Sequence, residues 1–388
     1  SSDVCSSDLS SFSFLRLASA AACVLLRPAM NIFGGCSQNV ALHTKLLAHG
    51  ESLQHPNVAE YKKENVRNAD AFFTSEVALG VADGVSQVSK EGVDPSRLPR
   101  ELMTYCKKYA KLCDDDPNQF DQDAEALFDE CHEEFDCDRI ALNILCRSVE
   151  QLKQHGACTA LVMTLNEDGS ELDVCCCGDS QAIIVRKTDA FGGFGKPYWK
   201  VVFRTEVQQH KFGMPYQIHR MPPTPPPARV VIDFLAAKAD SQRFQVRPGD
   251  VIIAGSDGIF DNVFEEDLVG IIEDVAPNVD GYGRPIESTP ENLAKEILDM
   301  AIQAAKPGYD QATPFSEKLA EVENKKIVGG HPDDTTVCVA YVISTSRSED
   351  RADLYSESSY DSQEADNAAR PGPPPPVQAG GYFGRPMR

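Results

Sequence analysis

The chain has 388 residues, of which 42% are apolar, enough to fill one large or two ordinary hydrophobic cores. Its 37 Lys and Arg against 59 Asp and Glu give a formal charge of −22, which repels the phosphate backbone of nucleic acids and anionic lipid headgroups. Nucleic acid is therefore not an expected partner, and a site for phosphate groups would need cations to neutralise it locally.

The N-terminal region differs in composition from the rest of the chain. Residues 1–9 resemble a translated sequencing adapter, so we leave them out of the fold prediction. Between Leu9 and Gly50 there is no Asp or Glu, and basic residues occur among several Ser and Ala, as in an organelle import peptide. The apolar run Leu17–Leu26 is too short to span a bilayer, although it would also suit a secretory signal. We expect a poorly ordered targeting segment over residues 10–49 and no transmembrane segment.

From residue 50 to residue 345, short runs rich in Val and Ile are separated by helical patterns. The runs predict buried strands at Ala160–Leu165, Leu172–Cys177, Ala182–Val185, Lys200–Phe203, Asp250–Ala254 and Thr336–Ile343. The helical patterns lie at Arg100–Lys111, Ala124–Cys131, Ile140–Gln154, Glu265–Glu273 and Pro290–Ala305. Strands come in consecutive groups and helices in pairs, which favours sheets layered with helices over alternating βαβ units.

The acidic stretch Asp114–Glu125 has the carboxylate spacing of a calcium loop. Its sixth position is Gln119, where the turn of such a loop needs Gly. A solvated acidic loop between helices is the simpler interpretation, and calcium binding stays a weaker alternative.

The thirteen cysteines are scattered without a CxxC pair, so we expect buried, reduced thiols and no disulfide framework.

After Ile343 the sequence turns to Ser, Asp, Glu and Ala and then to Pro and Gly, with a run at Pro373–Pro376. Such a composition cannot bury enough apolar surface to fold, so residues 346–388 are predicted to form an unstructured tail. Adaptor binding by its prolines is an alternative.

Five aspartates lie at the ends of strand-like runs: Asp70, Asp83, Asp179, Asp257 and Asp333. A single Asp-Gly is most often an ordinary turn. If the strands are neighbours, however, five carboxylates converge, and they repel one another unless they are protonated or bound to cations. Hard oxygen ligands suit Mg²⁺ or Mn²⁺.

Several segments resemble, in order, the motifs of the protein phosphatase 2C family: NADAFF, ALGVADGV, GACTALV, CCCGDSQAIIVR, PGDVIIAGSDGIFDN and GGHPDDTTVCVAYV. TEVQQHKFGMPYQI is similar to a segment of the family's mitochondrial branch. The resemblance implies an α+β fold, a four-layer αββα sandwich, with the catalytic domain over residues 50–345. It implies a metal-dependent protein serine/threonine phosphatase acting on phosphoserine and phosphothreonine of phosphoprotein substrates. Together with the composition of the import-like segment, the mitochondrial-branch similarity makes the mitochondrion the expected location, with the plastid as the alternative.

The resemblance also implies a centre of two Mn²⁺ or Mg²⁺ ions, with a third and weaker one. Asp83 would bridge both metals, the Gly84 carbonyl would bind the second, and Asp257 and Asp333 would bind the first. These aspartates would act in catalysis through a metal-activated water, without a Cys or Ser nucleophile.

Two further aspartates complete the implied metal ligands. Asp70 would bind directly or through water, and Asp179 matches the position that helps to hold the third metal. His210, Asp261 and Asp334 are expected to support these ligands, although a purely structural role for His210 is the simpler reading.

The chain departs from the family pattern at several positions. Ala69 stands where the family has Glu or Asp, and Ser86-Gln87 replaces the usual Gly-Gly. Val85 stands where many members have a His, as is common in the mitochondrial branch. These departures motivate an alternative, a catalytically weak pseudophosphatase that binds phosphoproteins as a regulatory module.

The phosphate-binding Arg of the family is also missing, because Asn65 stands at its aligned position. Lys63 or Arg67 would have to replace it, and each is equally well interpreted as a solvated surface charge.

Overall fold

The structure is a computed structural model, and it describes residues 42–54, 68–122, 125, 139–189 and 196–346. The strands are β1 (Leu42–Leu53), β2 (Ala71–Thr74), β3 (Ala78–Ala82), β4 (Gly156–Cys158), β5 (Ala160–Leu165), β6 (Glu171–Cys177), β7 (Gln181–Thr188), β8 (Tyr198–Arg204), β9 (Gln209–Lys211), β10 (Met214–Pro215), β11 (Ile218–Arg220), β12 (Asp240–Gln245), β13 (Val251–Gly255) and β14 (Thr335–Ser346). The α-helices beside them are α1 (Arg97–Asp115), α2 (Ile140–Gln151), α3 (Ala228–Lys238), α4 (Asp257–Phe260), α5 (Glu265–Val275), α6 (Pro290–Ala304) and α7 (Pro314–Glu323), and a 3₁₀ helix spans Ser86–Glu91.

Ten strands form two antiparallel sheets of five. The first sheet has the order β1-β14-β13-β7-β8, and the second has the order β12-β6-β5-β3-β2. Successive side chains of a strand point to opposite faces of its sheet. In β13, Ile252 and Ala254 accordingly pack between the two sheets, while Val251 and Ile253 pack under helices. Both faces of the strand are covered, which is why its sequence is a continuous apolar run.

Each sheet carries helices on its outer face. Helices α1, α2 and α3 cover the second sheet through a core that includes Leu102, Leu145 and Leu235. Helices α5 and α6 cover the first sheet through residues such as Ile272 and Ile297. The layers therefore run helix, sheet, sheet, helix, and the predicted α+β class with its αββα sandwich is confirmed.

Helix α6 shows how local sequence sets an element boundary. The side chain of Thr289 accepts a hydrogen bond from the backbone N–H of Asn292 at 3.2 Å, and Pro290 occupies the first turn. Leu293, Ile297 and Ala301, spaced by four residues, form its buried face. The helix begins at the predicted residue and ends one residue earlier than predicted.

Strand β1 lies partly in the region predicted to be a targeting segment. It pairs with β14 without interruption from Leu42, opposite Ser346, to Leu53, opposite Thr335. The boundary predicted at residue 50 is therefore wrong, because it falls inside a strand. In the sequence LHTKLLAHGESL, apolar and polar residues alternate only weakly, so the sequence alone does not predict a strand. Its strand conformation comes from pairing with the long apolar β14. Residues 1–41 and 347–388, with the predictions made for them, lie outside the described residues.

The acidic stretch at the end of α1 does not form a calcium loop. Asp114 and Asp115 belong to the helix, and Asp116 accepts a hydrogen bond from the backbone N–H of Gln119. Helical backbone resumes at residue 117, so the twelve-residue loop that the calcium interpretation requires is not formed. The helix predicted at Ala124–Cys131 falls almost wholly outside the described residues.

The cysteines of the described residues are free thiols, and Cys175, Cys176 and Cys177 are buried in β6, as predicted. Burial raises the pKa of the Cys177 thiol to about 12, which keeps it protonated.

Within the described part of the chain, none of the helices combines the length and the apolar character needed to cross a membrane.

Candidate metal centre

One end of the sandwich gathers the predicted aspartates of the second sheet. Asp70 directly precedes β2, and Asp83 directly follows β3. These strands are antiparallel neighbours with Ala71 opposite Ala82, so both carboxylates emerge at the same edge.

The first sheet delivers its aspartates to the same end. Asp257 follows β13 after Ser256, and Asp333 precedes β14. The two strand ends are joined by reciprocal hydrogen bonds, from Ser256 N to the Thr336 carbonyl at 3.0 Å and from Thr336 N to Ser256 Oγ at 3.1 Å. These two hydrogen bonds position Asp257 beside Asp333.

Asp179 lies where the chain crosses from one sheet to the other. The three residues Gly178–Ser180 connect β6 of the second sheet to β7 of the first. Gly178 has φ 118°, and a Cβ there would come within 2.7 Å of both the Thr159 side chain and the Tyr216 carbonyl, so only glycine fits this tight crossing. Asp179 Oδ2 accepts a hydrogen bond from Gln209 Nε2 at 2.8 Å.

The proximity of these carboxylates is reflected in the pKa values of Asp70, Asp83 and Asp257. The pKa of Asp83 is well above its usual value because of burial and the charges of Asp257, Asp70, Asp333 and Asp179. Burial, and after it the charges of Asp333 and Asp179, likewise raises the pKa of Asp257. Burial and neighbouring carboxylates raise the pKa of Asp70 to about 7. A cation placed among these groups would relieve the repulsion.

Several of these oxygens lack a hydrogen bond within the described part of the chain. Both carboxylate oxygens of Asp70, Oδ1 of Asp179 and Oδ1 of Asp257 are buried without such a partner. Buried charged oxygens left unpaired are costly unless a metal coordinates them. The donor set consists of hard oxygen ligands, which fit divalent ions such as Mg²⁺ or Mn²⁺.

A backbone and hydroxyl network holds Asp83 in place. Thr159 Oγ1 accepts the Asp83 N–H at 3.1 Å, Thr159 N donates to the Asp83 carbonyl at 2.9 Å, and Thr159 Oγ1 lies 2.7 Å from Ser180 Oγ. Gly84 pairs with Cys158 of β4. Our sequence reasoning missed Thr159 and Ser180, although both stand inside the motif segments.

Comparison with known proteins adds to this geometry. No family model matches the chain. It is 30% identical over 300 residues to the probable protein phosphatase 2C 26 of Arabidopsis thaliana, covering 76% of this chain and 83% of that protein. The chain belongs to the protein phosphatase 2C family. The family and the enzyme class predicted from the motifs, a protein serine/threonine phosphatase, are thereby confirmed.

Other members of the family are similar over most of the chain. The protein phosphatase PTC7 homolog of Xenopus laevis is 29% identical, with 80% of this chain and 94% of that protein covered. The probable protein phosphatase 2C 55 of Arabidopsis thaliana is 32% identical over 78% of this chain, and the match spans about half, 52%, of that longer protein. Among solved structures, the photosystem II phosphatase PBCP shares the fold, with TM-score 0.54, 24% identity and 76% and 98% of the two chains covered.

The residues expected to support the metal ligands lie in different places in this phosphatase. Asp334 Oδ2 accepts the backbone N–H of Ala69 at 2.8 Å, which ties the segment before β2 to the segment before β14. Asp261 lies in the cluster, and its charge contributes to the raised pKa of Asp257. His210 is exposed and its ring contacts Tyr216, with centroids 4.5 Å apart.

The positions at which this phosphatase departs from the family pattern are partly described. Ala69 is buried, and Ser86-Gln87 begin the 3₁₀ helix, in which only Val88 is buried. Lys63 and Arg67, the predicted phosphate ligands, and Asn65 lie outside the described residues.

Three residues at the centre were not predicted from the sequence: Gln209, Lys318 and His331. Gln209 bonds Asp179, while Lys318 Nζ and His331 Nδ1 lie 3.6 and 3.7 Å from the carboxylate of Asp261. His331 stands two residues before Asp333, so its place in the motif was a usable signal. Nothing near Lys318 in the sequence marks it.

Proposed function

We propose that this phosphatase hydrolyses phosphoserine and phosphothreonine at a centre of two divalent ions, Mn²⁺ or Mg²⁺. The observation that carries the proposal is the convergence of five carboxylates from both sheets, several with buried oxygens that have no hydrogen bond among the described residues. Asp83, Asp257 and Asp333 would hold the ions together with the Gly84 carbonyl, and Asp70 would assist directly or through water.

Ions bound there would supply an activated water and offset negative charge on the phosphoryl oxygens. The chain's own contribution is to hold the ligands rigidly. The hydrogen bonds of Thr159 and Ser256 position the segments that carry Asp83 and Asp257, and the Asp334 bond to Ala69 N positions Asp70. Such support matters because small displacements of a reacting group are costly.

The test is hydrolysis of a phosphothreonine peptide by the full chain with Mn²⁺, with Mg²⁺ and with EDTA. We expect turnover with either metal and none with EDTA. Asp257→Asn should lose about 10²- to 10³-fold in kcat/KM, the range seen when one main electrostatic element of a site is removed. Asp299→Asn, at an exposed position of α6, is the matched control and should keep full activity.

A folded wild-type protein without turnover at millimolar Mn²⁺ would refute the proposal and favour the regulatory, phosphoprotein-binding alternative. Equal activity of Asp257→Asn and the control would refute the assignment of the centre.

We also propose import into the mitochondrion, with the plastid as the alternative. The support is the absence of acidic residues between Leu9 and Gly50 and the similarity to the PTC7 homologs. A fluorescent protein fused behind residues 10–41 should co-localise with a mitochondrial marker. A diffuse or secretory distribution would contradict this.

A further inference from the structure

A proline-rich segment, Met221–Pro227, connects β11 to α3, and five of its seven residues are proline. Proline has no backbone N–H, so few hydrogen bonds can tie such a segment to the rest of the fold. Thr224 lies at its centre and is exposed, and the described part of the chain gives it no hydrogen bond through its backbone or its hydroxyl group. The segment ends at Pro227 in extended conformation, with φ −55° and ψ 145°.

Thr224 belongs to one of three Thr-Pro pairs in the whole sequence, which contains no Ser-Pro pair: Thr224-Pro225, Thr289-Pro290 and Thr313-Pro314. Proline-directed protein kinases phosphorylate a Ser or Thr that is directly followed by proline. The reacting hydroxyl must leave its own fold far enough to meet the γ-phosphoryl group of ATP in the kinase cleft. The three pairs differ in the contacts that this movement would break.

The other two threonines are engaged at the starts of helices. Thr289 Oγ1 accepts the Asn292 N–H at 3.2 Å and caps α6. Thr313 is only 1% exposed, and its hydroxyl donates to the Gly329 carbonyl at 2.9 Å and accepts the Ser316 N–H at 3.2 Å at the start of α7. Presenting either hydroxyl to a kinase removes a helix cap and opens the first turn behind it. Presenting Thr224 breaks no hydrogen bond of this kind.

The surroundings of the segment also suit a phosphate group. Pro225–Pro227 line a cavity of about 290 Å³ together with His219, Arg220 and the carboxylate of Glu150. A phosphothreonine carries a charge of about −1.5 to −2, and guanidinium groups bind phosphate through paired N–H donors. Arg220 directly precedes the segment, so a phosphate on Thr224 would have a suitable cation close to it in the chain.

We propose that Thr224 is a phosphorylation site for a proline-directed protein kinase. In this reaction Thr224 Oγ1 attacks the γ-phosphorus of ATP and forms a new P–O bond, while the bond from that phosphorus to the bridging oxygen of ADP breaks. ADP leaves, and the hydroxyl proton passes to the catalytic Asp of the kinase. The phosphatase would thus itself carry a phosphothreonine. The inference goes beyond the proposed function and does not depend on it.

The experiment treats the full chain with a purified mitogen-activated protein kinase, which belongs to the proline-directed class, and with ATPγS. Mass spectrometry then locates and quantifies the modified residues. ATPγS transfers a thiophosphoryl group, which phosphatases remove slowly, so the chain's own activity does not erase the product. Three synthetic peptides of equal length, each centred on one Thr-Pro pair, give the rate that local sequence alone allows.

We expect Thr224 to be modified at a similar rate in the folded chain and in its peptide. Thr289 and Thr313 should react at least about tenfold more slowly in the chain than in their peptides, because a helix start must open first. Thr224→Ala should remove the modification at this position, and Thr224→Ser should keep it. Both variants change an exposed residue, and an unchanged urea unfolding midpoint verifies that they fold.

Modification of Thr224 in the chain at the rate of its peptide, with Thr289 and Thr313 suppressed, supports the proposal. A Thr224 peptide that the kinase does not modify overturns it. So does a Thr224 that reacts at least about tenfold more slowly in the chain than in the peptide, since the fold would then withhold it. Equal suppression of all three threonines in the chain leads to the same rejection.

Discussion

Adding a single methyl group at Gly84, by substitution with Ala, should displace residues of the proposed metal centre. A Cβ built there would lie 2.5 Å from the Ala69 carbonyl oxygen and 2.7 Å from the Pro95 carbonyl oxygen. Both are backbone atoms, so no side chain can rotate away to relieve the contacts. Ala69 directly precedes Asp70, and Gly84 directly follows Asp83, so any relief displaces proposed metal ligands.

The magnitude follows from the geometry. Raising the shorter contact from 2.5 to 3.0 Å requires a backbone shift of about 0.5 Å. Overpacking of this kind costs about 1–3 kcal/mol of unfolding free energy. A displacement of about 1 Å at reacting groups can cost about 10²-fold in rate, so we expect Gly84→Ala to lose about 10- to 100-fold in kcat/KM.

The assay combines Mn²⁺-dependent phosphopeptide hydrolysis with urea unfolding of the full chain. Gly270→Ala is the matched control, because Gly270 lies inside α5 and an added Cβ there would meet no atom within 4 Å apart from its chain neighbours and the backbone of its own helix. Alanine there should raise stability by about 0.5–1 kcal/mol through helix propensity and leave activity unchanged. Wild-type activity and stability in Gly84→Ala would refute the steric argument.

Three further substitutions test the packing away from the centre, each by urea unfolding. Thr289→Ala removes the side-chain cap on Asn292 N and should cost about 1 kcal/mol, and an unchanged midpoint would show that water replaces the cap. Asp250→Asn leaves Arg186, which donates to both carboxylate oxygens of the fully buried Asp250, without its counter-charge and should cost about 3 kcal/mol, whereas a loss below about 1 kcal/mol would contradict a buried ion pair. Tyr341→Phe removes a buried hydroxyl that has no hydrogen bond within the described residues and should raise stability by about 1 kcal/mol, so a destabilised variant would indicate a partner for that hydroxyl.

Local sequence patterns were sufficient for most of the individual elements. The apolar run of β5 predicts its observed bounds, and Thr289-Pro290 marks the start of α6, because burial periodicity and capping depend on residues a few positions apart. The aspartates at the strand ends were identified in the same way. Helices α3 and α7 were missed for different reasons: the apolar run of α3, ARVVIDFLAAK, has no clear helical period, and the mixed polar sequence of α7, PFSEKLAEVE, resembles that of a loop.

The sequence by itself determined the layered α+β class, the family and the aspartates that belong together. The tertiary structure decided what surrounds them. It adds β1 as the edge strand of the first sheet, next to β14. It also brings Gln209 into contact with Asp179, 30 residues away, and places His331 beside Asp261. These pairs are distant in sequence. Their contacts depend on how two sheets and the intervening loops pack, and neither propensity nor periodicity carries that information.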